Sequence, residues 1–244
     1  MPDTDAKILL TGASQGIGKA IAVALAKDQH AVVGISRSRP NPADFGSSRY
    51  FCWQGVDLSN GTEIEKFVAS VDSVAFRALI LSAVDYGDGA RHPASAITAE
   101  EWHRIVGTTC VGQSLLTSLF LPKLMANPHG IIVNISSDVA ILPSPGRAAY
   151  SASKAGLHAM LRAVAAENAV EKLRVYQLIP TFQSLTEGIR RRRPADFDFS
   201  SYADPAVIAA VVRQLVSSSA STPPGSYLVH RDGTLHPFSE ITRI

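Results

Sequence analysis

The sequence predicts an α/β fold, a doubly wound parallel sheet flanked by helices. Three observations carry the prediction. Short β-branched runs alternate along the whole chain with longer segments of helical apolar spacing, as in repeated strand–helix–strand units. The runs are continuously apolar, as expected of strands buried on both faces. A glycine-rich turn follows the first run and opens the first helical segment, the arrangement found where open α/β sheets bind ligands.

The elements follow in order. "KILLTG" (7–12) is a buried strand stopped by glycine, and "GIGKAIAVALAKD" (16–28) has helical spacing. "HAVVGIS" (30–36) is the second strand. Two prolines and a glycine in "RSRPNPADFGSS" (37–48) argue against a long helix there. "RYFCWQGVDL" (49–58) is the third strand, 61–71 a short helix and "RALILSA" (77–83) the fourth strand. Residues 98–125 form a long helix, with Thr98 and Glu101 in a capping box. "GIIVNISS" (130–137) is the fifth strand, 149–170 a second long helix and "LRVYQLIP" (173–180) the sixth strand. A helix over 204–218 and a last strand, "SYLVH" (226–230), complete the series. The polar stretch 182–203 reads as an insertion or lid within one domain spanning 1–244.

Composition bounds the class. The chain has 244 residues, 46% hydrophobic and 18% charged, which is ample for a core. A net charge of +2, from 23 basic and 21 acidic residues, names no polyanionic partner, and nucleic-acid binding is not expected. Two cysteines suit a reducing compartment. The N-terminus shows no basic leader, and no apolar segment approaches the roughly 20 residues that span a bilayer, so no membrane contact and a cytoplasmic location are expected.

The glycine loop "TGASQGIG" (11–18) carries the first functional signal. Gly12 permits the turn, Gly16 lets the backbone approach a pyrophosphate, and Gly18 lets helix and strand pack closely. The free amides of the helix start then face the phosphates. An ordinary strand–helix turn would carry the same glycines. At the end of the second strand, where an acidic residue selects NAD, stand Ser36 and Arg37, with Arg39 beyond. Arginine binds a 2′-phosphate through charge-assisted hydrogen bonds, which favours NADP(H); a solvated loop is the alternative. Asp57 is placed either to meet the adenine or to cap a turn.

"TGASQGIG", the pair Asp57–Leu58, "IVNISS" ending at Ser137, and "YSASK" (150–154) resemble, in order and spacing, the short-chain dehydrogenase/reductase family. The resemblance covers essentially the whole chain. It implies a Rossmann-type domain with a seven-stranded parallel sheet, NAD(P)(H) binding, alcohol–carbonyl interconversion and a homo-oligomer, tetramer or dimer. It implies a catalytic Ser137, Tyr150 and Lys154. It implies cofactor contacts from Gly12, Ser14, Gly16, Ile17, Gly18, Ser36, Arg37, Asp57, Leu58, Ser82, Ala83 and Pro180, besides Tyr150 and Lys154. No metal is implied, and the seven histidines show no metal spacing.

Tyr150 and Lys154 are four apart, so on a helix they share one face with a rise of about 6 Å. A free phenol has a pKa near 10, too high for ready proton exchange at neutral pH. A nearby ammonium and an oxidised nicotinamide would both favour the phenolate. Lowering the pKa by about 3 units takes roughly 4 kcal/mol. Ser137, at a strand's carboxyl end, would orient the substrate oxygen.

Three departures from the family pattern stand out. Leu81, Ser82, Ala83 and Val84 replace Asn-Asn-Ala-Gly, so a strand-bridging asparagine becomes the shorter Ser82. Thr109 stands where an asparagine carbonyl holds a relay water. Thr181 follows Pro180 in place of glycine, and a positive φ there would be costly; Ser184 and Thr186 are the nearby hydroxyls.

The substrate pocket is expected from 84–95, 138–147 and 182–203. Arg190 to Arg193 are either a solvated run or a reader of an acidic, phosphorylated or carrier-linked substrate. Asp85 and Asp88 read as turn residues, and His158 as a packing or interface residue. Ala152, Ala155, Gly156, Ala159 and Ala163 give the second long helix a small-residue side for packing within or between chains. The reading is an NADPH-dependent carbonyl reductase or the reverse alcohol dehydrogenase. A non-catalytic NADP(H)-binding sensor or assembly subunit and an imine reductase are its rivals.

Overall fold

The computed structural model describes residues 6–126, 129–217 and 221–239. The expectations for residues 1–5 and for the helix end at 218 fall outside them. Strands β1 (Lys7–Thr11), β2 (Val32–Ser36), β3 (Phe51–Gly55), β4 (Phe76–Leu81), β5 (Gly130–Ile135), β6 (Leu173–Pro180) and β7 (Gly225–Val229) lie in the order 3-2-1-4-5-6-7, all parallel. The sheet has eight strands, which corrects the expected seven. β8 (Leu235–Pro237) returns antiparallel to β7 through a hairpin closed by His230 and Thr234 around Gly233, at φ 85°. Its three partly exposed residues are too few to show a period. The Asp-Gly turn before it was the available signal.

The runs of β1, β2, β4, β5 and β6 are buried on two sides, whereas β3 is mostly exposed. Ile8 and Leu10 of β1 face Ile21 and Leu25 of α1 (Gly16–Lys27) and Val212 and Leu215 of α7 (Ala206–Val216). Leu9 belongs to the opposite layer, with α2 (Gly61–Ser70), α4 (Gln113–Met125) and α5 (Ala148–Glu167). α2 starts where the Asn60 side chain accepts from the amides of Thr62 and Glu63. α3 (Ala99–Val106) starts at the reciprocal Thr98–Glu101 capping box.

The expected helix 98–125 is continuous but not uniform. Between α3 and α4 the chain widens into a π-helical segment, Gly107–Gly112. Gly112 sits on the carbonyl of Leu58, where a Cβ would stand 1.8 Å away. Such bulges are frequent at functional sites. The run Ala99–Met125 is 27 residues long, with a mean hydropathy of 1.3 over its most apolar window. By length and composition it could cross a membrane, which corrects the expectation that no segment could. Here Leu116, Phe120 and Leu124 are spent on the sheet, and Phe120 meets Phe76 edge-on at 4.8 Å. α5 ends three residues before the expected 170, at Glu167, where Asn168 Nδ2 donates back to the Val164 carbonyl.

The chain runs outward from β1 to β3 and then returns to β4, so the sheet divides between β1 and β4. Thr11 bridges that division. Its hydroxyl accepts from the amides of Ser82 (2.9 Å) and Ala83 (3.0 Å) and donates to Gln113 Oε1 (2.8 Å). Gln113 Nε2 in turn donates to the carbonyls of Ala83 and Thr109, both at 3.1 Å. Buried and joined to both sides, this pair does the bridging that the short Ser82 cannot. Thr11→Val keeps the shape but leaves the Ala83 amide without a partner. It is expected to cost about 2 kcal/mol, a fall in Tm of roughly 4–8 °C by calorimetry.

Candidate active site

A cleft of about 520 Å³ opens at the carboxyl ends of the central strands. One wall is the glycine loop. Gly12 has φ +72°, and a Cβ there would lie 2.8 Å from Ala83 Cα; a Cβ on Gly18 would lie 2.2 Å from the Gly12 carbonyl. Only glycine fits either place. Gly12, Ser14, Gly16, Ile17 and Gly18 all line the cleft, as do Ser36, Arg37, Asp57, Leu58, Ser82, Ala83 and Pro180.

Several of these side chains already have local duties. The Ser36 hydroxyl accepts from Trp53 Nε1 (3.0 Å) and donates to the Ser38 carbonyl (2.8 Å). Asp57 Oδ1 accepts from the amide and hydroxyl of Ser59, so its carboxylate shapes the turn at the cleft edge; the helix cap is Asn60. Arg37 is half-exposed and lies 3.5 Å from Asp85, which also faces Arg104 at 3.5 Å. Arg39 leaves the cleft and lies over the Trp53 ring.

Ser137, Tyr150 and Lys154 meet at the other end. Tyr150 and Lys154 stand on α5, both buried, and Ser137 follows β5. The Ser137 hydroxyl donates to Asp138 Oδ1 at 2.8 Å, and Ser137 lies near enough to the Tyr150 phenol to pull it down. Lys154 Nζ donates to the Ile135 carbonyl at 2.8 Å.

The electrostatics reverse the expectation of an acidified phenol. Burial first, then the neighbouring Tyr86, push Tyr150 well above the ordinary phenol value; Ser137 and the Arg147 charge pull it down less. Lys154 is not among the groups acting on it. Burial pushes Lys154 itself down to about 8. Desolvation disfavours charge on both, so the phenol keeps its proton and the lysine holds its own loosely.

Thr109 is fully buried and does not reach the cleft. Its hydroxyl accepts from the Asp85 amide, and its carbonyl accepts from Gln113. The π-helical widening presents Thr108 instead, whose buried hydroxyl has no partner among the described residues. Thr181 keeps a negative φ and is tied to the Val229 carbonyl by its amide and hydroxyl. Thr186 uses its hydroxyl to cap α6 (Glu187–Arg191), whereas Ser184 lines the cleft with an unpartnered, buried hydroxyl. Two open hydroxyls and a cradle with no room for a Cβ suit a dinucleotide along this cleft.

Sequence reading missed Tyr86. Its ring lies 5.0 Å from that of Tyr150, tilted by 41°. It lies in 84–95, expected to help build the substrate pocket but with no role assigned to Tyr86 itself. The arginine run separates in space. Arg190 lies over Phe199, Arg191 donates to Gln15 Oε1 at 2.7 Å, Arg193 lies over Phe197, and Arg192 lies over Tyr86 at 5.2 Å. Arg192 and Arg193 line the cleft with Arg91 and Arg147.

His158 is buried against Ser136, with Nδ1 and Oγ 3.1 Å apart. Gly156 packs beside Cys110, while Ala152, Ala159 and Ala163 are exposed. Folding groups Asp88, His92 and Glu101 with ligand atoms within 4.8 Å of one another, a grouping that sequence spacing does not reveal. His92 pairs with Asp88 at 2.8 Å and Glu101 closes its capping box, so these groups already serve local structure.

The short chain dehydrogenase family matches residues 6–196. The chain is 29% identical to L-xylulose reductase of Caenorhabditis elegans, over 92% of this chain and 94% of that protein. It is 26% identical to the 3-oxoacyl-[acyl-carrier-protein] reductase FabG of Thermotoga maritima, over 90% and 94%. A solved metagenomic short-chain oxidoreductase in complex with NADP is 25% identical and superposes with a TM-score of 0.74, over 93% of this chain and 97% of that one.

The low value for Lys154 sets a pH dependence. Its ammonium is lost as pH rises through about 8, so nucleotide binding that uses it weakens above that point and is flat below. Lys154→Arg, which stays charged, is expected to remove the break in a fluorescence titration of nucleotide against pH.

Proposed function

The chain belongs to the short-chain dehydrogenase/reductase family and is an oxidoreductase; from that premise we propose that it reduces a carbonyl with NADPH, alcohol oxidation being the reverse. One observation carries the reading. Ser137, Tyr150 and Lys154 line one cleft together with the glycine loop, so a proton donor and a dinucleotide cradle face the same space. Carbonyl reduction needs a phenol that still has its proton at neutral pH, and oxidation needs a phenolate.

The cofactor supplies the hydride. Ser137 turns its hydroxyl from Asp138 to the substrate oxygen and orients it. Tyr150 gives its proton to that oxygen as negative charge develops there. Lys154, at the base of the cleft, holds the ribose and provides a positive charge near the phenol once the site is filled. The glycine loop takes the phosphates on the amides of Ile17 and Gly18. Ser184 is the open hydroxyl for the carboxamide. The rival reading of a non-catalytic subunit draws on the departures at Ser82, Val84, Thr109 and Thr181, and the Thr11–Gln113 bridge weakens the first of these supports.

We propose NADP(H) over NAD(H) because Arg37 stands at the adenine end with no acidic residue in the selecting position. For the substrate we propose an acidic carbonyl compound, free or carrier-linked. Arg91, Arg147, Arg192 and Arg193 line the cleft, and none has an ion-pair partner among the described residues. Two free cysteines fit a cytoplasmic location, and exposed Val111, Leu119 and Met125 beside the small-residue side of α5 fit a homo-oligomer.

Turnover tests the reaction. With a panel that pairs keto acids with their methyl esters, Tyr150→Phe is expected to lower kcat by about 100-fold or more while NADPH still binds. The acids should show the lower KM. Equal loss of binding and turnover, or no turnover by the wild type, would sink the assignment. Arg37→Gln is expected to raise the KM for NADPH about tenfold, the worth of a charge-assisted bond, and to leave that for NADH unchanged.

A further inference from the structure

The insertion 182–203 is fastened to the start of α1, across the cleft from the catalytic residues. Glu187 Oε2 accepts from the Gly16 amide at 3.0 Å, and its other oxygen pairs with Lys19. Arg191 holds Gln15 at 2.7 Å. The Thr186 methyl lies 3.2 Å from where a Cβ on Gly16 would stand, so the Thr186 side chain packs against the glycine loop. The far end of the insertion is held separately, where the Leu185 amide donates to Ala203 at 2.8 Å.

Gln15 and Gly16 line the cleft, and on the insertion so do Thr186, Gly188 and Ile189 on either side of Glu187. The bond from Glu187 to Gly16 therefore joins the insertion to the glycine loop at the edge of the cleft, beside the path of a nucleotide lying along that loop. A bare carboxylate would repel two phosphates there. Lys19 neutralises it, and is itself held by Asp44 at 3.2 Å. Glu187 takes only the first amide of α1, and those of Ile17 and Gly18 remain for phosphate. Burial would push Glu187 up, but the hydrogen bonds from Lys19 and Gly16 outweigh it and hold the carboxyl below its ordinary value.

We propose that Glu187 is a positioning residue, a clasp that closes the insertion over the bound dinucleotide and whose opening sets the rate of cofactor exchange. The proposal rests on the NADPH reading above but not on any turnover. It ties the two ends of the reaction together, since the helix that carries the clasp leads directly into Arg192 and Arg193 on the substrate side.

The test is the dissociation rate of NADPH, followed by stopped-flow fluorescence after mixing the loaded protein with excess NADP⁺. Glu187→Gln is nearly isosteric and loses the charge; it is expected to speed release about tenfold, the worth of one charge-assisted bond. Lys19→Met, cutting the same pair from the other helix, should act in the same direction. Asp44→Asn should stay within about twofold of the wild type. Trypsin should cut the NADPH-loaded Glu187→Gln protein within Arg190–Arg193 faster than the loaded wild type, a readout that a merely structural role elsewhere would not move. Unchanged release in both variants would overturn the clasp. So would slower release, which would mean that the carboxylate competes with the phosphates. Absent carbonyl reduction with normal nucleotide release would count against the proposed reaction and leave the clasp standing.

Discussion

The site depends on one steric constraint, the near contact of three backbones at the division of the sheet. The end of β1, the start of α1 and the end of β4 meet with no space for a Cβ at Gly12 or Gly18. Thr11 holds the two strand ends together with one hydroxyl. Everything that faces a ligand hangs from this junction. The amides of α1 point into the cleft because the loop turns there, and β5, next to β4, delivers Ser137 to the same edge. A side chain at either glycine would push β4 from β1 and with it the catalytic end from the phosphate end.

Desolvation governs the chemistry of that cleft more than pairwise charge does. The four-residue spacing of Tyr150 and Lys154 suggested an ammonium acidifying a phenol. In the fold both groups are buried, and burial moves each toward its neutral form, the phenol up and the lysine down. The neighbouring Tyr86 strengthens the first effect. A buried phenol that keeps its proton is able to donate it.

Much was legible in the sequence where a local rule and a global need coincide. Strands buried on both faces have to be continuously apolar, so β1, β4, β5 and β6 could be read directly. Thr98 and Glu101 can satisfy a helix start without help, so their capping box could be read as well. β8 could not, because three half-exposed residues carry no period and are ordered by pairing with β7. The arginine run was readable as charge and not as direction. Which of four adjacent guanidiniums faces Tyr86, Gln15, Phe197 or Phe199 is decided by the turn of α6 and the aromatic cluster beyond it.

The sequence by itself determined the strand–helix alternation, the glycine cradle and the placing of Tyr150 and Lys154 on one helix, because each rests on residue type and short spacing. Only the tertiary structure decided that Thr108 and not Thr109 faces the cleft, that Tyr86 joins Tyr150, that Thr11 and Gln113 replace a missing asparagine, and that Glu187 reaches Gly16. Each of those contacts joins residues on different elements or depends on the local pitch of a helix. Their energies come from groups that share a buried space, and shared space is a property of the folded chain alone.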